Sequence, residues 1–232
     1  MKTTWFRDLI NLFFPNLCMA CEEKELQGKE ILCISCKRKL PKTTMHKMKE
    51  NRFTDRFAGR IYVQAGAALY HFKEGNHVQR LIHKLKYERK PKIGINLGKT
   101  YGQELALSSF FEDIDIIVPV PLHPIKERKR GYNQSEQFAM GLSEAMNKPW
   151  LRKGLIRIKH GQSQTKKGQV ERFDNVLTAF AVGQAAKLKG KHILIVDDVL
   201  TTGATLEACA TKILEVPDTK VSMATIAIAG TS

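Results

Sequence analysis

Along the 232-residue chain, short apolar runs alternate with stretches of helical spacing. From residue 114 the alternation is regular. "IDIIVPVP" predicts a strand closed by prolines, and "NQSEQFAMGLSEAM" a helix with Phe138, Leu142, Ala145 and Met146 on one side. "NVLTAFAV" and "HILIVDD" read as strands, "TTGATLEACATKILE" as a helix and "VSMATIAIA" as a last strand. Strands that are apolar throughout, alternating with helices, predict an α/β fold with a parallel sheet covered on both faces. Upstream, "IYVQAGAALYHF" predicts a strand or hairpin arm, and "HVQRLIHKLKY" places Val78, Leu81, Ile82 and Leu85 at helical spacing. The other faces of that helix carry Arg80, Lys84 and Lys86, and "ERKPK" follows. The run is either a solvated face or an anion-binding surface.

Residues 37–60 have no clear period and read as a basic linker. The opening "MKTTWFRDLINLFF" is broken by Arg7 and Asp8 and closed by Pro15. It predicts a short amphipathic helix packed on its own protein, or more weakly one lying on a membrane surface. It has neither the length of a transmembrane segment nor the form of a secretory signal, so a cytoplasmic location is expected. The length suits one α/β domain with a small appendage, divided as 1–60 and 61–232.

In a reducing compartment the cysteines change this picture. Cys18 and Cys21 form one CxxC pair, Cys33 and Cys36 a second, with a short stretch containing Gly28 between them. Two such turns bring four thiolates onto one ion, which predicts a compact structural zinc knuckle. A disulfide or redox reading would need an oxidising compartment or a thioredoxin-like context. Cys209, on one helical face with Leu206 and Ile213, is expected in the core.

Charge narrows the partners. The chain has 38 Lys+Arg against 23 Asp+Glu, a formal net charge of +15. That favours anionic partners, with plain solubility as the bland alternative. Against this excess, Asp197 and Asp198 stand side by side at the end of an apolar strand, Ile193–Val196. Burying carboxylates is costly, so a ligand is the first suspect. In open parallel sheets, ligands bind at the carboxyl ends of the strands. The loop that follows, Thr201, Thr202, Gly203, Ala204 and Thr205, offers hydroxyls and free N–H groups at a helix N-terminus, an anion cradle. Carboxylates for hydroxyls or Mg²⁺ beside donors for a phosphate match a ribose 5-phosphate. No GxxxxGK[ST] loop occurs.

Three further pieces are candidates. Arg128, Lys129 and Arg130 leave a strand at the same sheet edge, and clustered cations suit a polyanion. Asn133 either caps a helix with Glu136 or touches a ligand. His123 is a base, a phosphate donor or a local hydrogen-bonding group.

"ILIVDDVLTTGAT" resembles the thirteen-residue phosphoribosyl pyrophosphate (PRPP) motif of type I phosphoribosyltransferases. The resemblance assigns Asp197 and Asp198 to the ribose hydroxyls and Thr201 to Thr205 to the 5-phosphate. It assigns the Arg128–Arg130 loop to pyrophosphate, with Mg²⁺ as the accompanying ion. It also makes "KHGQSQTKKGQVER" a flexible loop closing over PRPP, in which Lys166 or Lys167 stabilises departing pyrophosphate. The whole order of motifs, from CxxC…CxxC through "LIHKLKY", "VPVPLHPIKERKRGYNQS" and "RIKHGQSQTKKGQVERFDNVLTAF", is similar to the ComF competence-protein family. That resemblance implies a type I phosphoribosyltransferase fold with an N-terminal four-cysteine zinc knuckle. It further implies a role in DNA uptake and natural transformation, contact with single-stranded DNA and a helicase-like partner. Gly161 and Lys159 depart from the family's RxRxTxxQ pattern, whereas Gln164, Arg172 and Asn175 match, so catalysis is less secure than fold. A metabolic amidophosphoribosyltransferase-like enzyme with no DNA role is the alternative.

Overall fold

The protein is described by a computed structural model over residues 15–28, 30–158 and 179–230. Its centre is a four-stranded parallel sheet built from β1 (Gly66–Phe72), β2 (Ile116–Pro119), β5 (His192–Leu200) and β6 (Lys220–Ala229). The strand order is β1-β6-β5-β2. Ile193, Leu194, Ile195 and Val196 are wholly buried, because β5 lies inside the sheet with helices on either face. The register sets Ile117 beside Leu194 and Leu194 beside Ser222. Trp150 bridges in parallel to Ile117 on the outer side of β2.

The helices are α1 (Ile34–Lys39), α2 (His77–Tyr87), α3 (Lys92–Ala106), α4 (Pro124–Arg130), α5 (Gln134–Met146), α6 (Ala185–Leu188) and α7 (Ala204–Leu214). The apolar spacing anticipates α2, α5 and α7, but not α3. Gly94, Gly98 and Gly102 recur on α3 where it meets α5. A Cβ on Gly98 would stand 2.4 Å from the Phe138 carbonyl oxygen and 2.9 Å from Gly141 Cα. The glycines are there because the two helix backbones touch. Cys209 is in the core, wholly buried, and burial pushes its thiol pKa well above the ordinary value.

Three readings need correction. Residues 37–60 are not a loose linker. Thr43 donates its N–H to Leu69 O (2.9 Å), Lys42 bridges Tyr70 at the outer edge of β1, and Phe53 and Phe57 are essentially fully buried. Asn51 ties this segment down, donating to the carbonyls of Met45, Met48 and Gly66 at 3.0–3.2 Å. Two phenylalanines and one asparagine have no period, so the pattern gave no warning. Second, only Phe180–Val182 of "NVLTAFAV" is a strand among the described residues. It is β4, antiparallel to β3 (Leu155–Arg157) in a separate two-stranded sheet. Third, the strand that reads as ending with the acidic pair runs two residues past it, to Leu200, paired with β6. The opening fourteen residues lie outside the described residues, and no described helix is long and apolar enough to cross a membrane.

Candidate functional site

Pairing of β2 with β5 ends at Pro119 beside Val196. Asp197 and Asp198 come immediately after, where the β2 side of β5 is released from its neighbour. Asp197 is partly buried; its Oδ1 accepts from Ser135 Oγ (2.7 Å) and from the Asp198 N–H (2.9 Å). Burial, then the neighbouring Asp198 charge, raises its pKa from the usual carboxylate range to about 7. Asp198 is 5% exposed, and its Oδ1 meets Lys86 Nζ at 2.9 Å. Its Oδ2 is buried with no hydrogen-bond partner among the described residues. A buried, unpaired carboxylate oxygen is a costly group, and a hydroxyl donor or a hard cation would satisfy it.

The turn after β5 holds Thr201 and Thr202 exposed, Gly203 buried and Ala204 and Thr205 partly exposed. Gly203 has φ of +91°, and a Cβ there would meet Phe57 Cε1 at 3.1 Å, so this position excludes a side chain on two counts. Helix α7 begins at Ala204, and no side chain caps it at Gly203. The Ala204 N–H makes a long bond to Thr202 Oγ1 (3.5 Å), and the N–H groups beside it are left without a side-chain cap, which suits an anion. The supposed linker roofs this loop. Arg56 donates to Thr201 O and Ala229 O, both at 2.9 Å, tying together the ends of β5 and β6. Arg60 pairs with the buried Glu207 at 2.8 Å in the first turn of α7, which offsets a negative charge beside the cradle. Nothing in local sequence marks Arg56 or Arg60, since each acts across the fold.

Next to Asp198 lies a cleft of about 250 Å³ lined by Lys86, Tyr87, Arg89, Lys126, Lys129 and Arg130. Among the described residues no carboxylate lines it. The segment read as a basic loop is in fact α4, capped at its C-terminus by Gly131 in the left-handed region. A short helix turns Lys126, Lys129 and Arg130 toward the cleft and leaves Arg128 exposed and outside the lining. Arg130 lies over the Tyr87 ring, 5.7 Å from its centre, and donates to Gln134 Oε1.

His123 is the N-cap of α4, its Nδ1 accepting from the Ile125 N–H at 3.2 Å. That fixes the tautomer with Nδ1 as acceptor and favours the local reading over general base. Asn133 caps α5, accepting from Ser135 N at 3.0 Å and donating to Val120 O at 2.9 Å. It thereby holds Ser135 under Asp197. Lys166 and Lys167 lie outside the described residues, as do Lys159, Gly161, Gln164, Arg172 and Asn175.

The cations of α2, read as a solvated face or an anion-binding surface, divide: Arg80 is exposed, Lys84 is buried and Lys86 lines the cationic cleft. Lys84 is buried and meets Glu22 at 2.5 Å, while Lys86 meets Asp198. His77 Nδ1 lies 3.0 Å from Ala20 O, and Arg80 donates to the same oxygen at 2.7 Å. One helix thus grips both the cysteine turn and the acidic pair.

The Sγ atoms of Cys18, Cys21, Cys33 and Cys36 all lie within 4.8 Å of one another. A tetrahedron of thiolates with Zn–S of about 2.3 Å has S···S edges of about 3.8 Å, close to this arrangement. The N–H groups of Cys33 and Cys36 point to Cys18 Sγ (3.3 Å) and Cys33 Sγ (3.4 Å), as thiolate ligands require. These four residues can hold a metal.

The phosphoribosyl transferase domain model matches residues 108–230. The DNA utilization protein YhgH of Salmonella typhimurium is 31% identical over 137 residues, 58% of this chain and 60% of that protein. Competence protein F of Haemophilus influenzae is 33% identical over 93 residues, 40% of this chain and 41% of its own. Competence protein ComFC of Bacillus subtilis is 34% identical over 100 residues, 43% of this chain and 38% of its own. The chain therefore spans about 60% or less of the length of these relatives. Their names bear out the resemblance to ComF proteins. The domain match runs from before β2 to the end of β6, through the acidic pair, the threonine loop and α4, and covers more than half of the chain. This protein belongs to the phosphoribosyl transferase domain family.

Proposed function

We propose that this protein binds PRPP with Mg²⁺ at the β5–α7 junction and serves the handling of incoming single-stranded DNA in the cytoplasm. The observation that carries the reading is a juxtaposition. An acidic pair with an orphaned oxygen, an uncapped helix start and a cleft without carboxylates adjoin one another, and Lys86 belongs to both halves. PRPP has a diol, a 5-phosphate and a pyrophosphate, one for each. Asp198 Oδ2 accepts a ribose hydroxyl, and the N–H groups from Thr201 to Thr205 hold the 5-phosphate. Lys86, Lys126, Lys129 and Arg130 hold the pyrophosphate, and Asp197 and Asp198 support the Mg²⁺. Mg²⁺ held by these carboxylates would supply charge neutralisation for a pyrophosphate leaving group. Lys166 and Lys167 are our candidates to do the same from the segment between β3 and β4, and His123 orients α4 rather than moving a proton.

The four cysteines hold a structural zinc in this reading, closed to substrate by its full set of thiolates. The DNA role rests on relatives named for competence and DNA utilization and on the +15 charge. A helicase-like protein is the partner proposed with it. Lys90 and Lys92 are exposed and lie outside the PRPP subsites, so they are the residues to test. Anisotropy of a labelled single-stranded oligonucleotide is expected to show weak binding that falls steeply with salt as counterions are released. Lys90→Glu/Lys92→Glu should weaken it, while saturating PRPP should not abolish it. No binding at low salt would leave the metabolic phosphoribosyltransferase reading in its place.

A further inference from the structure

Lys86 is in the last turn of α2, with its side chain 24% exposed. Its Nζ meets Asp198 Oδ1 at 2.9 Å, and the same side chain lines the cationic cleft. Among the described residues it is the one cation of that cleft paired with a carboxylate. The backbone of α2 is held in place around it. Lys84 is anchored on Glu22, and Tyr132 donates its hydroxyl to Leu85 O. Any response to a ligand at this point therefore falls to the flexible four-carbon stem of Lys86 rather than to the helix. An ammonium is a point charge that re-aims easily, unlike a guanidinium fork.

We propose that Lys86 is a positioning residue shared by the two halves of the site, a cation for which Asp198 and a polyphosphate in the cleft compete. A polyphosphate draws the ammonium from Asp198, which frees that carboxylate for a ribose hydroxyl or a cation. Conversely, a group that satisfies Asp198 releases Lys86 to the cleft. The two subsites are then linked through one side chain, and the link is reciprocal. The inference rests on the PRPP reading in taking pyrophosphate as a ligand of the cleft.

The test is a double-mutant cycle read as pyrophosphate affinity, by calorimetry with inorganic pyrophosphate in Mg²⁺-free buffer. No chelator is added, so that the cysteine centre keeps its metal. Asp198→Asn removes the competitor for Lys86 and should tighten pyrophosphate binding by about fivefold or more, the lower end of ordinary couplings between sites. In a Lys86→Met background the same substitution should change the affinity by less than about twofold, because the mediator is gone. Lys86→Gln serves if the methionine variant does not fold, and the Asp198→Asn measurement alone decides the first half. Unchanged or weaker binding by Asp198→Asn would overturn the inference. Equal tightening in both backgrounds would do so too, since that is a through-space charge effect without Lys86. A wild-type protein that binds no pyrophosphate would overturn the PRPP reading along with it, whereas binding without the coupling overturns the inference alone.

Discussion

Replacing an acidic site residue should make this protein more stable, by an amount that grows as pH rises to neutrality. Asp197 is raised to about 7 by burial and by the Asp198 charge, against an ordinary 3.8. Its carboxyl is therefore held protonated in the folded state over a range where the unfolded chain has already ionised. Between about pH 4 and pH 7 the unfolded state binds fewer protons than the native one, so stability falls as pH rises through that window and is level above it. Three pK units at about 1.36 kcal/mol each set a ceiling of roughly 4 kcal/mol. At pH 5 only about one of those units has been lost, so the penalty there is roughly 1–2 kcal/mol at most. Asparagine keeps the acceptor that Ser135 Oγ and the Asp198 N–H use, at 2.7 and 2.9 Å, so those bonds survive in Asp197→Asn. The variant should gain about 2–4 kcal/mol over wild type at pH 8 and about 1 kcal/mol at pH 5. Urea denaturation at the two pH values measures it, as a midpoint shift that is larger at pH 8, with an unchanged slope. The pH dependence of the cysteine centre is common to both proteins and drops out of the difference. A gain of equal size at both pH values, or a loss at pH 8, would refute the linkage argument. A carboxylate kept at such cost is what a ligand site retains against stability.

Gly98→Ala sets a methyl group 2.4 Å from the Phe138 carbonyl oxygen and 2.9 Å from Leu142 N, backbone atoms that have no rotamer to yield. Overpacking of about 1–3 kcal/mol or more outweighs the roughly 1 kcal/mol that alanine gains in a helix, so Tm should fall by several degrees in a calorimetric scan. An unchanged Tm would mean that α3 and α5 sit further apart than described. Cys33→Ser removes one thiolate while its hydroxyl can still cap α1 at Cys36 N. Elemental analysis should drop from one zinc per chain to a small fraction, with hydrogen exchange rising around residues 16–40 more than around β5. Wild-type protein without zinc would contradict the structural reading of the cysteines.

Much of this was legible because it is local. The CxxC spacings bring the four Sγ atoms together with no knowledge of the fold, and the apolar run into Asp197 marks β5 and its loop. The spacing of Val78, Leu81, Ile82 and Leu85 marks α2, and all four are buried. What was illegible depends on partners distant in the chain. Helix α3 drew no reading from the sequence, because Gly94, Gly98 and Gly102 occupy its contact face and have a role only once α5 is laid against them. The packing of residues 37–60 hid because a few anchors, Asn51, Phe53 and Phe57, fix them without any period. Lys84 and Lys86 read as a surface charge run, and only the fold shows that their partners are Glu22 and Asp198. Arg128 read as an equal of its neighbours, and only the turn of α4 separates it from Lys126, Lys129 and Arg130.

The central claim is that the acidic pair and the loop after it form a PRPP site. Calorimetric titration of PRPP with Mg²⁺ into wild-type protein and into Asp197→Asn/Asp198→Asn tests it most directly, at pH 8, above the raised value of Asp197. The account predicts saturable one-to-one binding to wild type and a loss of about tenfold or more in the double variant, the loss of at least one charge-assisted hydrogen bond. Equal affinity of the two proteins, or no heat of binding to wild type, would contradict it.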